Sequence, residues 1–176
     1  MNYYIITGGP GAGKTTLLEK LVKRGYNCVP EVARNIIRRQ IDSGGNAVPW
    51  GDVAEYSRIM LDASIQDFIS YSDFSEILFF DRGIPDVYGY NLLTGIDTTV
   101  ELKNALYDHR YNPIVFILPP WKEIYETDGE RKQDFKEAVR TYETMKSVYS
   151  GLGYTLVEVP RTSVSERADY VLDYVE

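Results

Sequence analysis

Apolar residues along this chain recur in two alternating rhythms. Short runs rich in β-branched and aromatic side chains give way to longer stretches in which apolar positions return every three or four residues. The first rhythm marks strands and the second amphipathic helices, and their alternation predicts βαβ units around a parallel sheet. Strands are expected at Tyr3–Thr7, Asn27–Pro30, Glu76–Asp81, Pro113–Leu118 and Tyr154–Val159. The continuous run Ile77–Phe80 reads as a central strand buried on both faces.

The helical period appears seven times. A helix opens near Lys14, turns Leu17, Leu18, Leu21 and Val22 inward, and stops at Gly25. Another runs from Glu31 to about Ser43 with Val32, Ile36, Ile37 and Ile41 inward, closed by Gly44-Gly45. Asp52 can cap a longer helix to about Tyr71, with Val53, Tyr56, Met60, Ala63 and Phe68 inward. Two shorter helices are expected over 84–93 and 99–109. Gln133–Ser150 carries Phe135, Val139, Tyr142, Met145 and Val148 on one face. Ser163 with Glu166 forms a capping box for a last helix that buries Val164, Ala168, Val171, Leu172 and Val175.

The 176 residues suit a single domain, 1–176, with a real core. No repeat, low-complexity tract or linker divides them. The longest mid-chain apolar runs are far short of the ~18 residues that span a bilayer. The first residues, MNYYIITGGP, lack a basic signal-peptide region. The expectation is therefore a cytoplasmic protein without membrane insertion. One cysteine excludes an internal disulfide, and one histidine disfavours His-rich metal chemistry. A net charge of −7 argues against a general nucleic-acid binder. That total hides an asymmetry: residues 1–40 sum to +5 and the remainder to −12. Either a small anion is handled near the first quarter, or the cations lie on solvated helix faces.

Gly8-Gly9-Pro10-Gly11-Ala12-Gly13-Lys14-Thr15 matches G-x-x-x-x-G-K-[ST] in full, with a strand before it and a helix after it. Such a loop turns its N–H groups toward phosphate oxygens, and the new helix adds its positive end to the same anion. Lys14 is placed to reach the β- and γ-phosphates, Thr15 to offer a hydroxyl to Mg²⁺, and Thr16 to face the α-phosphate. Asp81, at the end of the third strand, can hold Mg²⁺ opposite Thr15 or cap a helix. Arg82 can clamp a substrate or phosphoryl group, or form a structural ion pair with Glu31 or Asp86. Asp86 can meet a substrate hydroxyl, although a helix cap after Pro85 is the simpler role.

Glu31 stands where the second strand hands over to a helix. It can accept a proton from an attacking hydroxyl, or serve as a first-turn acid, and spacing alone favours the second. Arg34 and Arg38 share a helical face and can meet an anionic acceptor or remain solvated. After the fourth strand, the segment around 119–134 reads as a lid, with Arg131 placed to act on the triphosphate. Arg161 follows the fifth strand, beside the adenine or idle. Trp50, Tyr56, Tyr88 and Tyr90 can stack on a ring, but packing is their simpler role.

GGPGAGKTTLLEKL, PEVARNIIRRQ, ILFFDRGIPDVYGY, VFILPPWKEIYETDGERKQDF and LVEVPRTSVSERADYVL together resemble the AAA-type NadR-like ATPase/kinase family. That family is related to the ribosylnicotinamide kinase domain and, more distantly, to deoxynucleoside kinases. The resemblance implies a three-layer α/β P-loop NTPase sandwich, with a five-stranded parallel sheet in order 2-3-1-4-5 and ATP and Mg²⁺ as ligands. It implies acceptor contacts at Glu31, Asp81 and Arg82, which raises Glu31 above its reading from spacing. The ring-forming AAA machines' C-terminal helical domain is not found, and no N-K-x-D motif points to GTP. The expected activity is an Mg-ATP-dependent kinase of a small hydroxyl-bearing, nucleoside-like metabolite. The rival is a nucleotide-hydrolysing regulatory ATPase or switch with a protein or lipid partner.

Overall fold

The computed structural model describes residues 2–124 and 135–175. Five strands are present: β1 (Tyr3–Gly8), β2 (Asn27–Val29), β3 (Leu78–Asp81), β4 (Ile114–Leu118) and β5 (Thr155–Glu158). They pair in the order β2-β3-β1-β4-β5, every neighbour parallel, as the resemblance implied. Among the described residues the helices are α1 (Lys14–Lys23), α2 (Val32–Ser43), α3 (Val53–Ser70), α4 (Ile84–Thr94), α5 (Val100–Asp108), α6 (Phe135–Gly151) and α7 (Val164–Leu172). None of them is long and apolar enough to cross a membrane. The chain divides into two compact units that interleave in sequence. One comprises Met1–Val29, Glu76–Asp81 and Tyr111–Glu176, and the other Pro30–Ser75 and Arg82–Arg110.

The first unit holds the whole sheet with α1, α6 and α7. All six residues of β1 are buried, as a strand flanked by two parallel neighbours requires. On one face Tyr4, Ile6, Phe79, Phe116 and Leu118 pack with Leu17 and Leu21 of α1 and Ala168 and Val171 of α7. The alternate positions, Tyr3, Ile5, Phe80 and Ile117, are buried toward the other face, where Tyr3 and Phe80 meet at 5.4 Å between ring centroids. Helix α6 packs on β1, β4 and β5.

Helix α6 buries Tyr142, Met145 and Val148 as expected, but its buried face is turned so that Val139 lies at its margin. Ala138, Thr141, Tyr142, Met145, Val148 and Tyr149 are buried, while Val139 is 38% exposed. Gly9 explains the rotation. A Cβ on Gly9 would stand 2.4 Å from the Ala138 carbonyl oxygen. Backbone meets backbone there, so the helix presents its smallest residue to the loop.

The second unit is a succession of helices in which α2 packs on α3, α3 on α4, and α4 on α5. Asp52 caps α3 as expected, its Oδ1 accepting from the Glu55 N–H at 3.0 Å. Ser57 donates to Oδ1 of Asn91 at 2.5 Å, tying α3 to α4 through a buried polar pair. Of the four apolar positions expected inward on α2, only Ile36 is fully buried and Ile41 is 62% exposed. A helix that packs mainly on another helix buries a narrower stripe than one pressed on a sheet. His109 stacks edge-on to Phe68 at 5.2 Å, a packing role.

Gly9→Ala is expected to destabilise the fold by about 1–3 kcal/mol, because backbone must move to admit the methyl group. Gly151→Ala, which meets nothing within 4 Å, serves as the control and should be neutral or stabilising by up to about 1 kcal/mol. Urea denaturation of both variants checks this; equal stabilities would contradict the close approach.

Candidate active site

The phosphate loop is built where β1 runs out. Gly8 has φ 139°, and a Cβ there would lie 2.6 Å from the Leu118 carbonyl oxygen on the paired strand. The chain turns through Gly9–Ala12 and enters α1 at Gly13, which sits in the left-handed region with φ 86°. Only glycine takes that conformation cheaply. Helix α1 has no side-chain cap and no acidic residue in its first turn. Its first N–H groups and its positive dipole end are therefore left to an external anion. Lys14 is buried and curls back over the loop, Nζ donating to the carbonyls of Gly8 at 3.2 Å and Gly9 at 3.1 Å. Thr15 and Thr16 are exposed, and the Thr16 hydroxyl donates to the Gly13 carbonyl at 2.9 Å.

Parallel register brings Asp81 to the same end of the sheet. Asp81 pairs with Ile6, two residues before Gly8, while Gly8 pairs with Leu118. The Asp81 charge is felt on β2: burial first, and then this carboxylate, push the Cys28 thiol up to about 12. Asp81 and the Thr15 hydroxyl are hard oxygen donors of the kind Mg²⁺ takes. Among the described residues no group of three or more His, Cys, Asp or Glu is placed to cage an ion. A sparse donor set is what Mg²⁺ uses beside substrate phosphates.

The second unit contains its own polar cluster, centred on Arg82. Its Nε donates to Oε1 of Glu31 at 2.8 Å, and its NH1 to Oδ1 of Asp86 at 3.1 Å. Oδ2 of Asp86 accepts from the Gly83 N–H at 2.9 Å, so the residue caps α4 and holds Arg82 at once. Glu31 occupies the cap position of α2 but makes no capping bond with its side chain. Its carboxylate faces Arg82, with Arg34 Nε 3.5 Å away. Among the described residues Arg82 is the one non-glycine with positive φ, at 71°. An arginine held there stores strain of about 1–2 kcal/mol, sustained by its two carboxylate partners.

Two tyrosines border this cluster. The Tyr56 and Tyr90 rings meet edge to face at 5.6 Å. Burial raises the Tyr56 hydroxyl pKa, as do Tyr90 and Glu31, against an opposing pull from Arg82. Burial also lifts Tyr90 to about 12, and among the described residues its buried hydroxyl has no hydrogen-bond partner. Trp50 is 71% exposed.

The predicted residues thus fall into two groups. Gly8 to Thr16 and Asp81 belong to the sheet unit, and Glu31, Arg34, Arg82 and Asp86 to the helical unit. Asp81 and Arg82 join the groups through one peptide bond. Arg38 and Arg161 are exposed. Arg131 and most of the 119–134 segment lie outside the described residues. Sequence reasoning missed Arg167, which is 4% exposed, donates to the Gly13 carbonyl at 3.4 Å and lies over the Trp121 ring at 5.6 Å. The available signal was an arginine at an inward position of α7, between Val164 and Val171.

Native Cys28 should react with a disulfide reagent at pH 8 about a hundredfold or more slowly than the unfolded chain, since thiolate is the reactive form. Asp81→Asn should speed it; an unchanged rate would place the charge elsewhere. Arg82→Gly should cost about 1 kcal/mol less stability than Arg82→Ala, which keeps the unfavourable φ. Equal losses in urea titrations would argue against strain at this position.

A family described as AAA domain matches residues 3–167 of the chain. No curated protein matches the sequence significantly. Among solved structures, a deoxyadenosine kinase from M. mycoides with products dCMP and a flexible dCDP bound aligns over 98% of each chain, with 18% identity and a TM-score of 0.65. The same organism's deoxyadenosine kinase with bound dATP aligns over 99% of each chain, with 15% identity and a TM-score of 0.60. A NadR protein in complex with NR aligns over 99% of this chain and 50% of its own length, with 17% identity and a TM-score of 0.67. At these identities the likeness is one of fold.

Proposed function

Since the chain belongs to the AAA domain family, we propose that it is an Mg-ATP-dependent kinase of a small hydroxyl-bearing, nucleoside-like metabolite, acting in the cytoplasm as one P-loop domain. One observation carries the reading. A complete phosphate loop with an uncapped helix end occurs in the same chain as a carboxylate held by a strained arginine. A nucleotide switch needs the first feature but has no use for the second. That difference favours a kinase over a regulatory ATPase with a protein or lipid partner.

The roles follow from the chemistry of each group. The loop N–H groups and Lys14 bind the β- and γ-phosphates, and Lys14 exchanges its Gly8 and Gly9 carbonyls for them. Gly8, Gly9, Pro10, Gly11, Ala12 and Gly13 shape the cradle, and Thr16 faces the α-phosphate. Thr15 and Asp81 would hold Mg²⁺, which when bound neutralises charge on the phosphate oxygens. Glu31 accepts the proton of the acceptor hydroxyl. Arg82 orients Glu31 and stabilises negative charge on the transferred group, while Asp86 keeps Arg82 in place. Arg34 adds a second cation beside Glu31. Arg131 acts on the triphosphate from the lid, and Arg161 flanks the adenine. Titrating ATP and GTP by calorimetry, then screening nucleosides for acceptor-stimulated ADP release, tests the reading.

Lys14→Ala should weaken Mg-ATP binding at least about tenfold, the scale of a lost charge-assisted contact. Glu31→Gln should keep ATP affinity and lower acceptor-stimulated ADP release by about 10²–10⁴-fold. Stimulation only by a protein or lipid, untouched by Glu31→Gln, would establish the switch instead.

A further inference from the structure

The sheet unit buries a second cation beside the phosphate loop, and neither the kinase reading nor the loop motif employs it. Arg167, on the first turn of α7, is 4% exposed. Its NH1 reaches the Gly13 carbonyl at 3.4 Å, and its guanidinium lies 5.6 Å from the centroid of the Trp121 ring. Its Nε is buried with no hydrogen-bond partner among the described residues. None of the ion pairs among the described residues includes it. The contact is close: a Cβ on Gly13 would stand 2.6 Å from NH1. The fourth glycine of the loop is thus required by its φ of 86°, and a side chain there would also displace the guanidinium packed against it.

A buried guanidinium is ordinarily matched by a carboxylate, because removing a cation from water is costly. Among the described residues a carbonyl and an aromatic face stand in for one. The site is also the N-terminal end of α1, whose dipole is positive and so repels a further cation. Burial pulls the guanidinium pKa below its usual value, which expresses the same mismatch. Within this unit, what would relieve the mismatch is a polyanion on the loop.

We propose that Arg167 is a positioning residue for the nucleotide phosphates, acting through the Gly13 backbone and held in place by Trp121. This rests on the ATP-binding reading above. The guanidinium fixes the loop glycine at the start of α1, and its charge, which no carboxylate among the described residues pairs, favours ligands in proportion to their negative charge. Trp121 supplies a cation–π face that keeps the guanidinium against the loop.

Calorimetric titration of AMP, ADP and ATP into the wild type, Arg167→Met and Arg167→Lys tests the proposal. Arg167→Met is expected to weaken ATP about tenfold and AMP much less, with Arg167→Lys recovering part of the ATP loss. Thermal denaturation without nucleotide should leave Arg167→Met as stable as the wild type or more so, as loss of a buried cation with no carboxylate partner among the described residues predicts. An equal loss for all three nucleotides, or none for ATP, would overturn the proposal. If Arg167→Met fails to fold, Arg167→Gln and Arg167→Lys carry the comparison: tighter ATP binding by the lysine variant supports it, and equal binding overturns it. Wild-type protein that binds no ATP removes the kinase reading and this proposal together. Wild-type binding with unaltered variants removes this proposal alone.

Discussion

Parallel pairing of β1 with both β3 and β4 is the constraint on which the sheet unit depends. The registers Ile6↔Asp81 and Gly8↔Leu118 set the ends of three strands at one edge. There the chain must leave β1 in a space already bounded by the Leu118 carbonyl and by the α6 backbone at Ala138. Gly8 and Gly9 fit that space because they carry no side chain. The same crowding turns α6 until Ala138 faces the loop. A phosphate loop is therefore more than a motif between a strand and a helix: its backbone path is fixed by neighbours more than a hundred residues away in sequence.

Each unit treats its cations differently. In the helical unit, Arg82 is held by Glu31 and Asp86, so the cluster is internally balanced and can sustain a left-handed backbone at an arginine. In the sheet unit, Lys14 leans on loop carbonyls and Arg167 on the Gly13 carbonyl and Trp121. With the uncapped end of α1, these groups make one edge of the sheet locally positive within a chain of net charge −7. Net charge describes the surface, and the loop is a local reversal of it.

Much of this was legible beforehand. The strand and helix periods located every described strand and α-helix to within a few residues, and the Asp52 and Ser163–Glu166 caps appear as read. Caps and periods are local, written in residues three or four apart, so a sequence displays them directly. The inward faces of α2 and α6 were less legible. Several apolar stripes fit one helical period, and the choice among them is made by the partner, α3 for the one and the Gly9 backbone for the other. Arg167 was hidden for a related reason. An arginine in a helix reads as solvated until the packing of α7 buries it.

By itself the sequence determined the alternating α/β pattern, the complete phosphate loop and the acid at the end of the third strand, because each is a short run of residues with its chemistry in order. Tertiary structure alone decided what surrounds them. It closed the ion pair of Glu31 with Arg82, which the sequence had left open among other roles, and set Arg167 against Gly13. The partners in these contacts stand as much as 154 residues apart. No local rule relates such positions; they meet because burying the apolar faces of strands and helices leaves the chain few ways to close.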